Sequence, residues 1–160
     1  MTSNTFLVSE FFKLKGYPFL TGIVINNSFL PIKKVGDLVF VSSATPLKSD
    51  GTEVIGKVGE NIDVETAKEA ACLCLTHSLS LLEYEMEKPL TNRSIQAVDL
   101  TFMLNTTPNF DQHSEIADVA SDLLIEAIGE NGKHTRSAIG MGSLVRNVSI
   151  VLKGVYKIID

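Results

Sequence analysis

Residues 63–105 read DVETAKEAACLCLTHSLSLLEYEMEKPLTNRSIQAVDLTFMLN, and this stretch decides the fold class. Its first part has a helical period. Val64, Ala67, Ala71, Cys74/Leu75, Ser78 and Leu81/Leu82 recur on one stripe, while Glu65, Lys68 and Glu69 mark the wet side. Asp63 is suited to cap the N-terminus, with Glu65 in the first turn where the helix dipole favours an anion. Pro89 cannot continue a helix, so the helix must end before it. The period then changes to two. A strand is predicted from Ile95 to Leu104, with Val98, Leu100, Phe102 and Leu104 on one face and Ala97, Asp99, Thr101 and Met103 on the other.

Outward from this helix–strand unit the pattern repeats. Ile116, Ala120, Leu123, Leu124 and Ala127 predict a second long helix from about Gln112 to Ile128, with Gly129 as its C-terminal cap. The last thirty or so residues read as two strands, 135–143 and 147–158. Upstream, Leu38–Ala44 is a nearly continuous apolar run of the buried-strand kind. Two shorter apolar pieces, Gly22–Ile25 and Phe29–Ile32, flank an Asn26-Asn27-Ser28 turn. Residues 46–59 hold three glycines, a proline and several charges, and read as a surface loop. Phe6, Leu7, Phe11, Phe12 and Leu14 predict a short amphipathic helix that Gly16-Tyr17-Pro18 stops. The sum is an α+β domain: one sheet of five or six strands with two long helices on one face. The opposite face carries Val, Ile, Met and Ala, and another subunit is the natural cover.

The chain has 160 residues, 44% apolar and 21% charged, consistent with one domain spanning residues 1–160, in which 1–20 form a variable N-terminal extension. No apolar run is long enough to span a bilayer, and the charges and Pro18 near the start argue against a signal-peptide core. The net charge of −5 argues against a broad nucleic-acid footprint. A reduced, cytoplasmic setting is expected. In it the two cysteines, Cys72 and Cys74, act as small core residues pointing to different helix faces. Sequons start at Asn26, Asn92, Asn105 and Asn147, and they should stay unmodified there.

Few residues announce chemistry. His77, His113 and His134 form no metal-ligand spacing with a cysteine, so no metal and no organic cofactor is expected. His77, on the apolar helix, reads as structural. No Gly-x-Ser-x-Gly elbow, phosphate-binding loop or dinucleotide fingerprint is present. Arg136 stands out, because it lies on a strand among Ser137, Ala138, Gly140 and Gly142, where the backbone can approach another body. Its planar guanidinium suits a carboxylate, and an ordinary ion pair at the surface or at a subunit seam would satisfy it equally.

Several blocks in order carry a resemblance. Gly36-Asp37-Leu38-Val39-Phe40-Val41-Ser42-Ser43, Gly56-Lys57-Val58-Gly59 and Ala70-Ala71-Cys72-Leu73-Cys74 resemble the first half of the Rid (YjgF-type) family. Ala120-Ser121-Asp122-Leu123-Leu124 and Gly132-Lys133-His134-Thr135-Arg136-Ser137-Ala138-Ile139-Gly140 resemble a subgroup with a similar "ASDLL…G-H-ARSAVG" signature. The resemblance runs from about Phe29 to the C-terminus. It implies a chorismate-mutase-like fold and a homotrimer around a central barrel of sheets, with ligand clefts between neighbouring subunits. The best-understood members of the family hydrolyse 2-imino acids to 2-keto acids and ammonia without a cofactor. Others have been described as endoribonucleases or translation inhibitors.

Carried over position by position, the resemblance assigns Arg136 to the substrate carboxylate and Ser42 to the pocket. Ser43 stands where the family has glycine, and Phe29 where it has tyrosine. Asp118 falls near an asparagine position. At the last strand the deaminases carry Glu-x-Glu, whose first Glu is thought to position water; here Val151 and Lys153 stand in its place. A proline that usually follows Leu144 is Val145. Valine can neither accept a proton nor hold water. The expectation is therefore a trimer binding a small carboxylate, acting either as an imine/enamine hydrolase or as a non-catalytic metabolite-binding or regulatory protein. RNA cleavage is a third reading.

Overall fold

A computed structural model describes residues 4–21 and 28–159. The described elements are α1 (Val8–Leu14), β1 (Ile32–Val35), β2 (Leu38–Ala44), α2 (Val64–Met86), β3 (Ile95–Asn105), α3 (His113–Ile128), β4 (Thr135–Met141) and β5 (Ile150–Ile158). Short 3₁₀ turns, Gly129–Gly132 and Val145–Asn147, precede β4 and β5. The sheet order is β1-β2-β5-β3-β4, antiparallel except for the β3–β4 pair. That parallel pair requires a crossover, and α3 supplies it. This is the α+β architecture expected, with α2 and α3 packed on one face.

The helix boundaries follow from their chemistry. The Asp63 carboxylate accepts from the Thr66 N–H at 2.7 Å, which holds its pKa below the usual range. α2 stops at Met86, where Glu87 turns left-handed (φ 53°), two residues before Pro89. Gly129 closes α3 with φ 65°. α1 is no loose appendage: Val8 and Phe12 are buried, and the Val8 N–H donates to the Leu90 carbonyl at 2.9 Å. Both cysteines lie buried in α2, unpaired, and burial pushes the Cys72 thiol up to about 11. The Gly22–Ile25 piece and Asn26-Asn27 of the predicted turn lie outside the described residues.

Five expectations need correction. Val98 does not join the buried face of β3. The register with β5 slips between Ala97 and Asp99, so Ile95 and Ala97 face the core before the slip and Leu100, Phe102 and Leu104 after it. The extra residue of a β-bulge reverses the alternation there. The piece at Phe29 is not strand; β1 begins at Ile32 and reaches Val35. β2 is not buried on both faces, since Phe40 is 40% exposed and Ser43 is exposed while Val39 and Val41 are covered. The 46–59 loop is not wholly a surface feature. Val54 and Val58 are buried, and Lys57 Nζ donates to Asn105 Oδ1 (2.7 Å) and to the Gly142 carbonyl (2.8 Å). The loop thereby clasps the ends of β3 and β4. At the last strands the bounds are shorter than read, Thr135–Met141 and Ile150–Ile158.

The two faces of the sheet differ sharply. On the helix side Leu100, Phe102, Leu152 and Tyr156 are fully buried, and the Tyr156 hydroxyl pairs with Ser78 Oγ at 2.8 Å. On the other side Phe40 and Ile139 are 40% and 45% exposed. The same side also carries the exposed Lys153 and Lys157 of β5, so its apolar residues are interspersed with charge.

Candidate functional site

The sequence-predicted residues fall into two groups. Phe29, Ser42 and Ser43 meet in a cavity of about 300 Å³ at the end of β2. The register between β2 and β5 shifts between Val41 and Ala44, so Ser42 and Ser43 sit in a bulge. The Ser42 N–H donates to the Pro31 carbonyl (2.8 Å), which holds the bulge against the segment that carries Phe29. Arg136 and Asp118 form the second group, on β4 and α3. Arg136 Nη1 lies 2.8 Å from Asp118 Oδ1 and donates to Ser121 Oγ at 3.1 Å. Arg136 does not line the first cavity. β5 and β3 separate β2 from β4, on the order of 14 Å at ordinary strand spacing. Within one chain the two groups stay apart.

The β4 group is an ion pair with a supporting shell. Ser121 Oγ also lies 3.1 Å from His134 Nε2, and His134 Nδ1 is 2.6 Å from the Gly132 carbonyl. A carbonyl can only accept, so Nδ1 carries the proton and Nε2 accepts from Ser121. All contacts of the Arg136 guanidinium among the described residues use one nitrogen, Nη1. Nε and Nη2 are left for another acceptor. The close approach expected along β4 occurs at Gly140, where a Cβ would stand 2.5 Å from His113 Nε2. The body that comes close there is the chain's own α3.

Three more side chains line the cavity that composition and spacing did not flag as a site: Glu53, His77 and Arg146. Glu53 comes from the 46–59 stretch, and Arg146 from the turn before β5. Arg146 Nη2 donates to Glu53 Oε1 at 2.8 Å and Nε donates to Oε2 at 3.1 Å, a two-pronged pair across 93 residues of sequence. Burial alone would raise the Glu53 pKa. The bonds and charge of Arg146 and the bond to the Thr45 hydroxyl outweigh it, so the pKa lies below the usual value. His77 Nδ1 lies 3.1 Å from the Thr45 backbone nitrogen and 3.2 Å from the Thr45 carbonyl oxygen, so the Thr45 backbone engages this ring nitrogen in either tautomer. Burial holds the His77 pKa below its ordinary value, keeping the ring neutral. Val151 is buried and offers no polar group. Among the described residues no cluster of His, Cys, Asp or Glu could hold a metal ion. Nor is any described helix long and apolar enough to cross a membrane.

Backbone strain is concentrated beside this cavity. Arg146 and Asn147 are consecutive left-handed residues (φ 49° and 57°). Such conformations cost non-glycine residues roughly 1–3 kcal/mol each and persist where surroundings impose them. Here the Asn147 carbonyl accepts from the Gly56 N–H (2.8 Å), and its side-chain oxygen accepts from Asn105 Nδ2 (2.9 Å).

Comparison with known proteins places the fold. No family model matches the chain. Protein TCP17 of Trypanosoma cruzi is 29% identical over 110 residues, 68% of each chain. A solved Agrobacterium tumefaciens protein of unknown function, Atu1372, is 27% identical with a TM-score of 0.85, covering 95% of this chain and 92% of its own. A candidate endoribonuclease from Shewanella oneidensis MR-1 has the same TM-score at 21% identity, covering 95% and 99%. A Yersinia pestis protein of unknown function in the Rid family, YyfA, has a TM-score of 0.56 at 13% identity, covering 84% and 90%.

Proposed function

We propose, from the Rid (YjgF-type) fold that this chain carries and that supports its membership of the family, that it binds small 2-keto and 2-imino acids in clefts between the subunits of a homotrimer. The observation that carries the reading is the Arg136 guanidinium. It stands on the edge strand β4, about one-fifth exposed, with Nε and Nη2 uncommitted among the described residues. A planar fork with two free nitrogens is the complement of a carboxylate. Asp118 occupies Nη1 and keeps the site charge-balanced until a ligand arrives.

The cavity around Phe29, Ser42 and Ser43 would take the remainder of the ligand. Since one chain holds it apart from Arg136, a cleft using both needs two chains, the cavity from one and Arg136 from its neighbour. The exposed Phe40 and Ile139 on the open side support such an association. Of the two family activities, small-molecule binding suits the site better than RNA cleavage, because the chain carries a net charge of −5 and a polyanion would be repelled.

Calorimetric titration with 2-oxobutanoate, paired with light scattering, tests the reading. The expected result is binding by a trimer that is lost in Arg136→Ala with the trimer intact. A monomeric mass, or equal affinity in the variant, would overturn it.

A further inference from the structure

The cavity at the end of β2 contains one carboxylate, Glu53, and one imidazole, His77. Both are held in place by named partners, Glu53 by Arg146 and His77 by the Thr45 backbone. A carboxylate has about four acceptor positions. Arg146 fills two, one on each carboxylate oxygen. His77 has Nδ1 engaged by the Thr45 backbone, which leaves Nε2 as its second hydrogen-bonding atom. Carboxylate and imidazole thus share a small enclosure with Phe29, Ser42 and Ser43.

The way Glu53 is held argues that it matters for chemistry. An acidic residue in a charged loop would ordinarily sit in solvent. This one is only 15% exposed, while its partner Arg146 is 59% exposed. The left-handed pair Arg146–Asn147 is the turn from which that guanidinium reaches Glu53. The strain is therefore maintained at the point that keeps a carboxylate ionised inside a cavity.

We propose that Glu53 is the proton acceptor for water attacking the imine carbon of a 2-imino acid in this cavity, with His77 Nε2 as a second polar group that orients substrate or water. The proposal rests on the ligand class given under the proposed function. In the step, water oxygen bonds to C2 of the protonated imine, one water proton passes to Glu53, and the C=N π pair moves to nitrogen. Glu53 then returns that proton to nitrogen. The hydroxyl proton passes to Glu53 as the C=O bond forms and the C–N bond breaks, and ammonia leaves with that proton. The sum is iminium plus water giving 2-keto acid plus ammonium, with no oxidant or reductant.

The test generates the 2-imino acid with an amino-acid oxidase, traps it with semicarbazide and follows its loss on adding the trimer. Wild-type protein should accelerate hydrolysis. Glu53→Gln should lower kcat by about 100-fold or more, as loss of an acid–base group does. Its 2-oxobutanoate Kd should stay within about 3-fold of wild type, because the lost interaction acts on the reacting water. Wild-type binding without hydrolysis, or full turnover in Glu53→Gln, would overturn the proposal while leaving the binding reading in place. No 2-oxobutanoate binding by wild type would sink the binding reading, and the proposal with it. Should Glu53→Gln not fold, Arg146→Ala serves, since Arg146 is largely exposed. The groups facing Glu53 are Arg146, His77 and the Thr45 hydroxyl, so removing Arg146 should move the acid limb of the kcat profile to higher pH. An unmoved limb would overturn the assignment.

Discussion

Two arginine–carboxylate pairs, built in opposite senses, organise this molecule. At the end of β2 the carboxylate is sheltered and the arginine is the outer partner: Glu53 is 15% exposed and Arg146 59%. At the β4 edge the arginine is sheltered and the carboxylate is outermost: Arg136 is 21% exposed and Asp118 56%. In each pair the more sheltered member is held by an outer partner of opposite charge. Arg146 keeps Glu53 ionised through both oxygens. Asp118 occupies one nitrogen of Arg136 and leaves the rest of the fork open. One pair presents an anion to the cavity, and the other leaves two guanidinium nitrogens uncommitted among the described residues.

This contrast can be tested from its largest consequence downward. Arg136→Ala should cost 2-oxobutanoate affinity about 10- to 100-fold, the worth of a charge-assisted bond, with the denaturation midpoint nearly unchanged. A large loss of stability with affinity retained would make Arg136 a structural residue and dissolve the distinction. Next in size is Arg146→Ala. It strands a sheltered carboxylate, and urea unfolding should register a loss of about 1–2 kcal/mol. Asp118→Ala, which removes an exposed partner, should stay within about 0.5 kcal/mol in the same assay. Equal losses in the two would mean the pairs are equivalent.

The pH dependence sharpens the same point. In the folded protein the pKa values of His77 and Glu53 are both lowered. The unfolded chain therefore binds protons first on acidification. Stability should be fully present above the ordinary histidine value of about 6.5 and fall as pH drops below it, by at most about 1.4 kcal/mol per pH unit for His77 alone. Glu53 adds to the loss below its own ordinary value. His77→Gln should flatten the first part of that decline in urea midpoints measured between pH 7 and 5. A smaller effect belongs to the other pair. Asp118→Asn removes the competing carboxylate and should tighten 2-oxobutanoate binding by a few-fold, about 1 kcal/mol or less, in calorimetry. Last, Cys72 and Cys74 should matter to neither site. With the Cys72 thiol at about 11 and Cys74 pushed well above its usual value by burial, both should resist alkylation at pH 8 until the protein is unfolded.

Much of the frame was legible in residue order. The α2 cap at Asp63, the stop before Pro89, the Gly129 terminus and the spacing of α3 are local effects, each decided within a turn or two of chain. The β3 bulge was not legible, because the slip at Val98 exists only in the pairing with β5. The candidate site divides the same way. Arg136 was visible because an arginine among small strand residues is locally unusual, and Ser42 and Ser43 because of the resemblance their block carries. Glu53 looked like one more charge in a polar loop. Nothing nearby in sequence indicates that Val54 and Val58 bury themselves beside it and draw it inward.

By itself, then, the sequence determined the element order, the α+β class and the candidate carboxylate anchor at Arg136. Helical and strand periods, caps and breakers act over a few residues, and their energies are written in the chain. Tertiary structure decided that Glu53 meets Arg146 across 93 residues, that His77 turns one ring nitrogen to Thr45, and that the cavity and Arg136 lie on separated strands. Those outcomes depend on which buried groups find partners once the whole core closes, a condition no local window of sequence contains.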